Sequence, residues 1–301
     1  MKFKVKNVIN EILESLFLVY SNRVPDVKKI TNAMIKKGMV ANQSEIVNDH
    51  IAFRTIGVKN LGIKSFEKIF IEHGYKKMDF YHFDLKKLDA YWYAPPSSDL
   101  PRIFISELKV NYLSTTAQKI IMKYTDSVKS DPVDGIDLNN SKQVSEYLQT
   151  PLWRLPTLKD YDDLMSESEY AAWVIYNRYY LNHYTISVHD LPGEYCNLEK
   201  FNHFVKSLGI KLNKSGGEVK VSKDKLLRQS SSVANQIEAS FQNGEKKLIA
   251  GSYVEFAERS ILPEFINLDK SQIMRKHRRE GFETGNADKI FESTFTSQID
   301  N

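Results

Sequence analysis
Two histidines and a glutamate lie in three strand-like segments of this chain: His50 in NDHIAFRT (48–55), His183 in NHYTISVH (182–189) and Glu255 in GSYVEFAER (251–259). Side chains on a strand alternate between its faces, so residues i, i+2 and i+4 share one. One face therefore carries His50, Ala52 and Arg54, a second His183, Thr185, Ser187 and His189, and a third Tyr253, Glu255, Ala257 and Arg259. The opposite faces, such as Asp49, Ile51 and Phe53, suit packing against a core. Ligand-type, small and polar residues in one row make a poor core and a good wet cavity around a cation. Two imidazoles and one carboxylate can hold a single Fe(II) and leave positions open for other ligands. Zinc accepts the same donors, so these residues alone do not choose the metal.

Other residues join the constellation with less force. Arg54 lies four residues beyond His50, roughly 13 Å along a strand at about 3.3 Å per residue. Its long side chain can reach back and grip a carboxylate with a planar fork. His189 is a reserve ligand on the cavity face. Glu107 matches Glu255 in position and is a candidate fourth ligand or hydrogen-bond partner, but a salt bridge is the simpler expectation for it.

The elements that must position these residues follow a repeated order. Residues 1–45 pattern as two helices, with Asp26 a candidate N-cap for the second. A strand at 50–57, a helix at 64–73 closed by Gly74, and strands at 75–84, 89–94 and 102–109 come next. Residues 111–180 pattern as a mainly helical insertion with a polar, turn-rich patch at 130–142. The order then recurs: a strand at 182–189, a helix at 197–208 capped by Gly209, and strands at 211–221, 226–241 (a stretch that can break in two) and 250–259. The predicted class is α+β, with two βαβββ modules (46–110 and 181–260) forming a half-open barrel. Helices are added before (1–45), between (111–180) and after the modules, where a charged, partly helical tail runs over 261–301. All of it is expected to form one catalytic domain spanning 1–301.

Composition narrows the setting. Lys and Arg total 42 and Asp and Glu 38, a net charge of 42 − 38 = +4, too small to argue for nucleic acid or an anionic membrane. The basic cluster Arg275, Lys276, His277, Arg278 and Arg279 is expected on a solvated helix face. The one cysteine, Cys196, permits no intrachain disulfide and fits a reducing compartment. The early lysines precede a stretch broken by Asn10, Glu11 and Glu14, unlike a signal peptide. No apolar run of about 18 residues suggests a membrane span. A cytoplasmic protein is the expectation.

The three metal-site segments, with SDLPRIFISEL (98–108), LLRQSSSVA (226–234) and REGFETGNADKIFEST (279–294), resemble the 2-oxoadipate dioxygenase/decarboxylases, also called D-2-hydroxyglutarate synthases. The resemblance runs from about residue 45 onward and implies a vicinal-oxygen-chelate-like fold. It implies ferrous iron, Fe(2+), held by His50, His183 and Glu255, with Arg54 binding a substrate carboxylate. The partners implied are a small 2-oxo acid and O2, giving D-2-hydroxyglutarate and CO2 from 2-oxoadipate, a step in lysine catabolism. Arg259, Gln229, Ser231 and Ser187 are candidates for the rest of the substrate pocket. The alternative on the same fold is a glyoxalase-type isomerase or hydrolase using zinc or nickel, with Glu107 as a possible fourth ligand.

Overall fold
The computed structural model describes residues 1–3 and 5–300. The chain opens with two helices, α1 (Val8–Arg23) and α2 (Pro25–Lys36). Asn7 starts α1 by accepting the Asn10 N–H, and Ile9, Ile12, Leu13, Leu16, Phe17 and Tyr20 bury one helical stripe. Pro25 takes the first position of α2, where its missing N–H costs nothing, so Val24 is the cap. Asp26 therefore lies inside the first turn rather than capping it, and its carboxylate accepts from Asn235 Nδ2 at 3.1 Å.

The first module runs β1 (Asn48–Ile56), α3 (Ile63–Glu72), β2 (Lys76–Phe83), β3 (Leu88–Ala94) and β4 (Arg102–Leu108). Gly74, at φ 84°, lets the chain turn out of α3 in a left-handed conformation. The insertion supplies α4 (Thr115–Thr125), α5 (Ser141–Gln149), α6 (Leu158–Glu167) and α7 (Glu169–Asn177). The second module begins with β5 (His183–Ser187), α8 (Leu198–Ser207), β6 (Lys220–Val221) and β7 (Leu227–Ser231). A hairpin of β8 (Gln236–Ser240) and β9 (Lys246–Ala250) pairs apart from the main sheet before β10 (Tyr253–Arg259) rejoins it. Short helices α9 (Thr284–Phe291) and α10 (Thr296–Ile299) end the chain.

Eight strands form one curled half-barrel in the order β2-β3-β4-β1-β5-β10-β7-β6. Each half reads outward from a histidine strand in matching order: β1, β4, β3, β2 on one side and β5, β10, β7, β6 on the other. The two histidine strands are antiparallel neighbours at the seam, and each runs parallel to the last strand of its own module. The α+β half-barrel of paired modules expected from the sequence is what the chain builds.

Several boundaries differ for local reasons. Of 211–221 only Lys220 and Val221 form a strand, with Leu212 in a single bridge to Ser232, because Gly216 and Gly217 turn the chain at φ 65° and 99°. The 226–241 candidate splits into β7 and β8. β5 stops at Ser187, where Val188–Asp190 form a 3-10 turn, so His189 leaves the row that begins at His183. The basic run is not a solvated helix face: Arg275–His277 make one 3-10 turn, and the Arg275 side chain folds inward, 19% exposed. Among the described residues, no helix is long and apolar enough to cross a membrane.

Candidate metal centre
The seam between β1 and β5 brings the two histidines together, and β10, paired to β5, adds the carboxylate. Strand register places Glu255 opposite Thr185, two residues past His183. All three side chains are buried. His50 Nε2 lies 3.3 Å from His183 Nε2 and 3.5 Å from Glu255 Oε1, and His183 Nε2 lies 3.1 Å from Glu255 Oε2. Bonds of about 2.1 Å to one metal separate neighbouring donors by about 3.0 Å at right angles and about 3.4 Å at tetrahedral angles. The observed separations, 3.1 to 3.5 Å with the two histidines each nearest a different Glu255 oxygen, lie close to that range, so the three residues fit a single ion. His50, His183 and Glu255 are the one such cluster among the described residues.

Each histidine is aimed by the residue before it. Asp49 Oδ1 lies 2.8 Å from His50 Nδ1, and Asn182 Oδ1 lies 3.0 Å from His183 Nδ1. Both oxygens only accept, so each Nδ1 donates and each Nε2 lone pair is left for the shared point. Gln229 Nε2 donates to Glu255 Oε1 at 2.7 Å, and Asn286 Nδ2 donates to Gln229 Oε1 at 3.0 Å, which fixes the amide. Burial alone would raise the Glu255 pKa, but the imidazoles, His50 foremost, hold it at about 2. Burial lowers the pKa of His183 and would lower that of His50, but Glu255 and Asp49 raise His50 above the ordinary histidine value. Asp49 resists the same burial because Arg259 and Arg102 hold it well below the usual carboxylate range.

A family model described as 2-oxoadipate dioxygenase/decarboxylase matches residues 12–265. The chain belongs to this family. It is 41% identical to the Arabidopsis thaliana 2-oxoadipate dioxygenase/decarboxylase, chloroplastic, over 99% of this chain and 80% of the relative. The crystal structure of the Oryza sativa hydroxyglutarate synthase in complex with 2-oxoadipate superposes with a TM-score of 0.87 at 41% identity, covering 96% of this chain and 93% of that one. A Ralstonia eutropha JMP134 protein assigned to the glyoxalase superfamily shares the fold, with a TM-score of 0.69 at 20% identity over 91% of this chain and 85% of that one. The cytoplasmic location expected from the sequence is overturned by the Arabidopsis relative, which is named chloroplastic.

The residues expected to complete the family's pocket divide sharply. Arg54 is fully buried, donates to Thr294 Oγ1 and the Phe291 carbonyl at 3.0 Å each, and faces the Tyr170 and Trp173 rings from α7 at 5.0 Å. No ion pair forms on it among the described residues. Gln229 lines the space beside the triad. Ser231 instead meets Ser293 Oγ at 2.8 Å, and Ser187 donates to Asp190 Oδ2 at 2.7 Å at the barrel's end. Arg259 is consumed structurally: Nε and Nη2 donate to Asp49 at 2.6 and 2.9 Å, and Nη1 to the Arg279 and Gly281 carbonyls. His189 stands away from the triad and accepts the Arg259 N–H at 3.1 Å. Glu107 does not join the metal donors and, among the described residues, forms no salt bridge; it serves as a hydrogen-bond partner, its Oε2 accepting the Ile63 N–H at the start of α3 at 2.8 Å. Register explains this, since Phe104, opposite Ala52, stands where Glu255 stands in the second module.

Sequence reasoning missed Asp49, assigned to the core face, because a register shift between Asn48 and Ile51 breaks simple alternation. The signal was present in the repeated pairs Asp49-His50 and Asn182-His183. It also missed the roof. Phe282, Ala287, Ile290 and Phe291 from the C-terminal tail cover the triad beside Phe104, leaving about 20 Å3, room for about one water.

Gln229→Leu should weaken divalent-metal binding about 10–100-fold by freeing the Glu255 carboxylate. Calorimetric titration of Fe(II) into both proteins under anaerobic conditions measures it; unchanged affinity would show that Glu255 needs no such support.

Proposed function
We propose that this protein converts 2-oxoadipate and O2 into 2-hydroxyglutarate and CO2, with one Fe(II) held by His50, His183 and Glu255. The equation balances: a six-carbon 2-oxo diacid loses one carbon as CO2, and both atoms of O2 are accounted for in the products. The observation that carries this reading is a three-donor site with Arg54 on the same strand as His50, a buried guanidinium that, among the described residues, has no carboxylate partner. The activity is that named for the plant relatives. A reaction that consumes O2 favours iron over zinc for the same donor set.

When bound, the iron supplies the electrons that activate O2 and a chelation point for the 2-oxo acid. The two imidazoles and Glu255 would hold such an ion, and Phe104 and Phe282 line the same space, where substrate would meet it. His50 and His183 keep their tautomers through Asp49 and Asn182, so no reorientation is needed when metal arrives. Glu255 contributes the negative charge of the site, held in place by Gln229.

Arg54 receives a substrate carboxylate. Its present acceptors, the Phe291 carbonyl and Thr294 Oγ1, both belong to the C-terminal tail that supplies the roof. About 20 Å3 does not admit a six-carbon diacid, so the roof shifts on binding and yields these donors to the substrate. Once closed again, Phe104, Phe282, Ile290 and Phe291 exclude bulk water from the reacting centre.

Oxygen uptake by anaerobically Fe(II)-loaded protein after addition of 2-oxoadipate tests the reaction, with products identified by mass spectrometry. Oxygen consumption with equimolar 2-hydroxyglutarate and CO2 is expected; no uptake with 2-oxoadipate would refute it. Arg54→Met should retain Fe(II) yet raise KM for 2-oxoadipate at least tenfold, and much less for a monocarboxylic 2-oxo acid. Equal KM changes for both substrates in steady-state assays would remove Arg54 from carboxylate recognition.

A further inference from the structure
We infer that a second small-molecule site lies at the end of the half-barrel and that its ligand is a short-chain carboxylate. A cavity of about 210 Å3 opens there, and none of its lining residues borders the space beside the triad. Its walls come from the start of β1, the first residue of β4, the end of β10 and the irregular segment 273–278.

Four guanidiniums line it: Arg102, Arg259, Arg275 and Arg278. Three carboxylates answer them. Asp49 pairs with Arg259 and Arg102, Asp190 stands on the rim, and Glu280 accepts from Arg102 Nε and Nη2 at 2.6 and 2.5 Å. The balance is 4 − 3 = +1. His189 adds no charge, because burial pushes its pKa down to about 4.

The unmatched donor can be located. Arg275 Nη1 donates to the Leu100 carbonyl at 2.7 Å, and Nε lies 3.6 Å from Glu280, but its buried Nη2 has no acceptor among the described residues. Arg278 donates through Nη1 to the Arg259 carbonyl at 2.8 Å and forms no ion pair among the described residues. Buried guanidinium N–H groups require acceptors, and the two oxygens of a carboxylate match the planar fork. Val47, Ile273 and Met274 give the same cavity an apolar wall. Phosphate or sulfate has nothing to lay against that wall, whereas a short carboxylic acid has both an anionic head and an alkyl body. The ligand sits one carboxylate away from the triad, since Asp49 faces this cavity and holds His50 Nδ1 at 2.8 Å. The inference does not depend on the reaction proposed above.

Calorimetric titration of the full-length, metal-free protein with glutarate, and separately with inorganic phosphate at matched ionic strength, tests it. Glutarate should bind one per chain, should still bind Arg54→Met, which lacks the guanidinium beside the triad, and should bind Arg275→Gln at least tenfold more weakly. Arg278→Gln, a change on the half-buried rim, is the second variant and should weaken binding in the same direction. Absence of glutarate binding, undiminished binding in both cavity variants, or preference for phosphate over glutarate would overturn the assignment.

Discussion
A carboxylate taken out of water must be met by positive charge and hydrogen-bond donors, or it will not stay ionised. Asp49 is such a group, fully buried, and it is met by Arg259, Arg102 and the His50 imidazole together. Arg259 arrives from β10, the strand that carries Glu255, and Arg102 from β4, so the charge cluster ties both modules to the strand that bears His50. Breaking a buried pair of this kind typically costs about 3–5 kcal/mol, because the partner charge is left uncompensated. The cluster therefore fixes the seam of the half-barrel and the orientation of one donor at once.

The rest of the site follows from the repeated architecture. Two modules meet through their histidine strands, which places two imidazoles side by side without any long-range loop having to position them. The symmetry is then broken on purpose at one position. Glu255 supplies a carboxylate in the second module, and Phe104 supplies an apolar wall at the matching place in the first. A site with three donors on one side and aromatic rings on the other leaves space for reactants where water is poorly held. The inserted helix α7 contributes Tyr170 and Trp173 around Arg54, so the insertion helps to hold that buried guanidinium.

Much of this was legible in the sequence because strand periodicity and the repeated order are local signals. His50, His183 and Glu255 each stand at the right phase of a strand, and the helices closed by Gly74 and Gly209 mark the two modules. What was not legible depends on non-local geometry. The register shift near Asn48 turned Asp49 from a presumed core residue into the orienting partner of His50. The 3-10 turn after Ser187 removed His189 from its row. Pairing across β1 and β4, invisible in a single segment, decided that Phe104 and not Glu107 matches Glu255. The tail's role as a roof could not be read from its charged composition, because only Phe282, Ala287, Ile290 and Phe291 within it face inward at the triad.

The central claim is that His50, His183 and Glu255 hold one iron on the concave face of the half-barrel. Anomalous diffraction at the iron edge, from anaerobically grown crystals loaded with Fe(II), tests it most directly. The account predicts a single strong peak about 2.0–2.2 Å from His50 Nε2, His183 Nε2 and a Glu255 carboxylate oxygen. A peak elsewhere, or none between these three side chains at full iron loading, would contradict it.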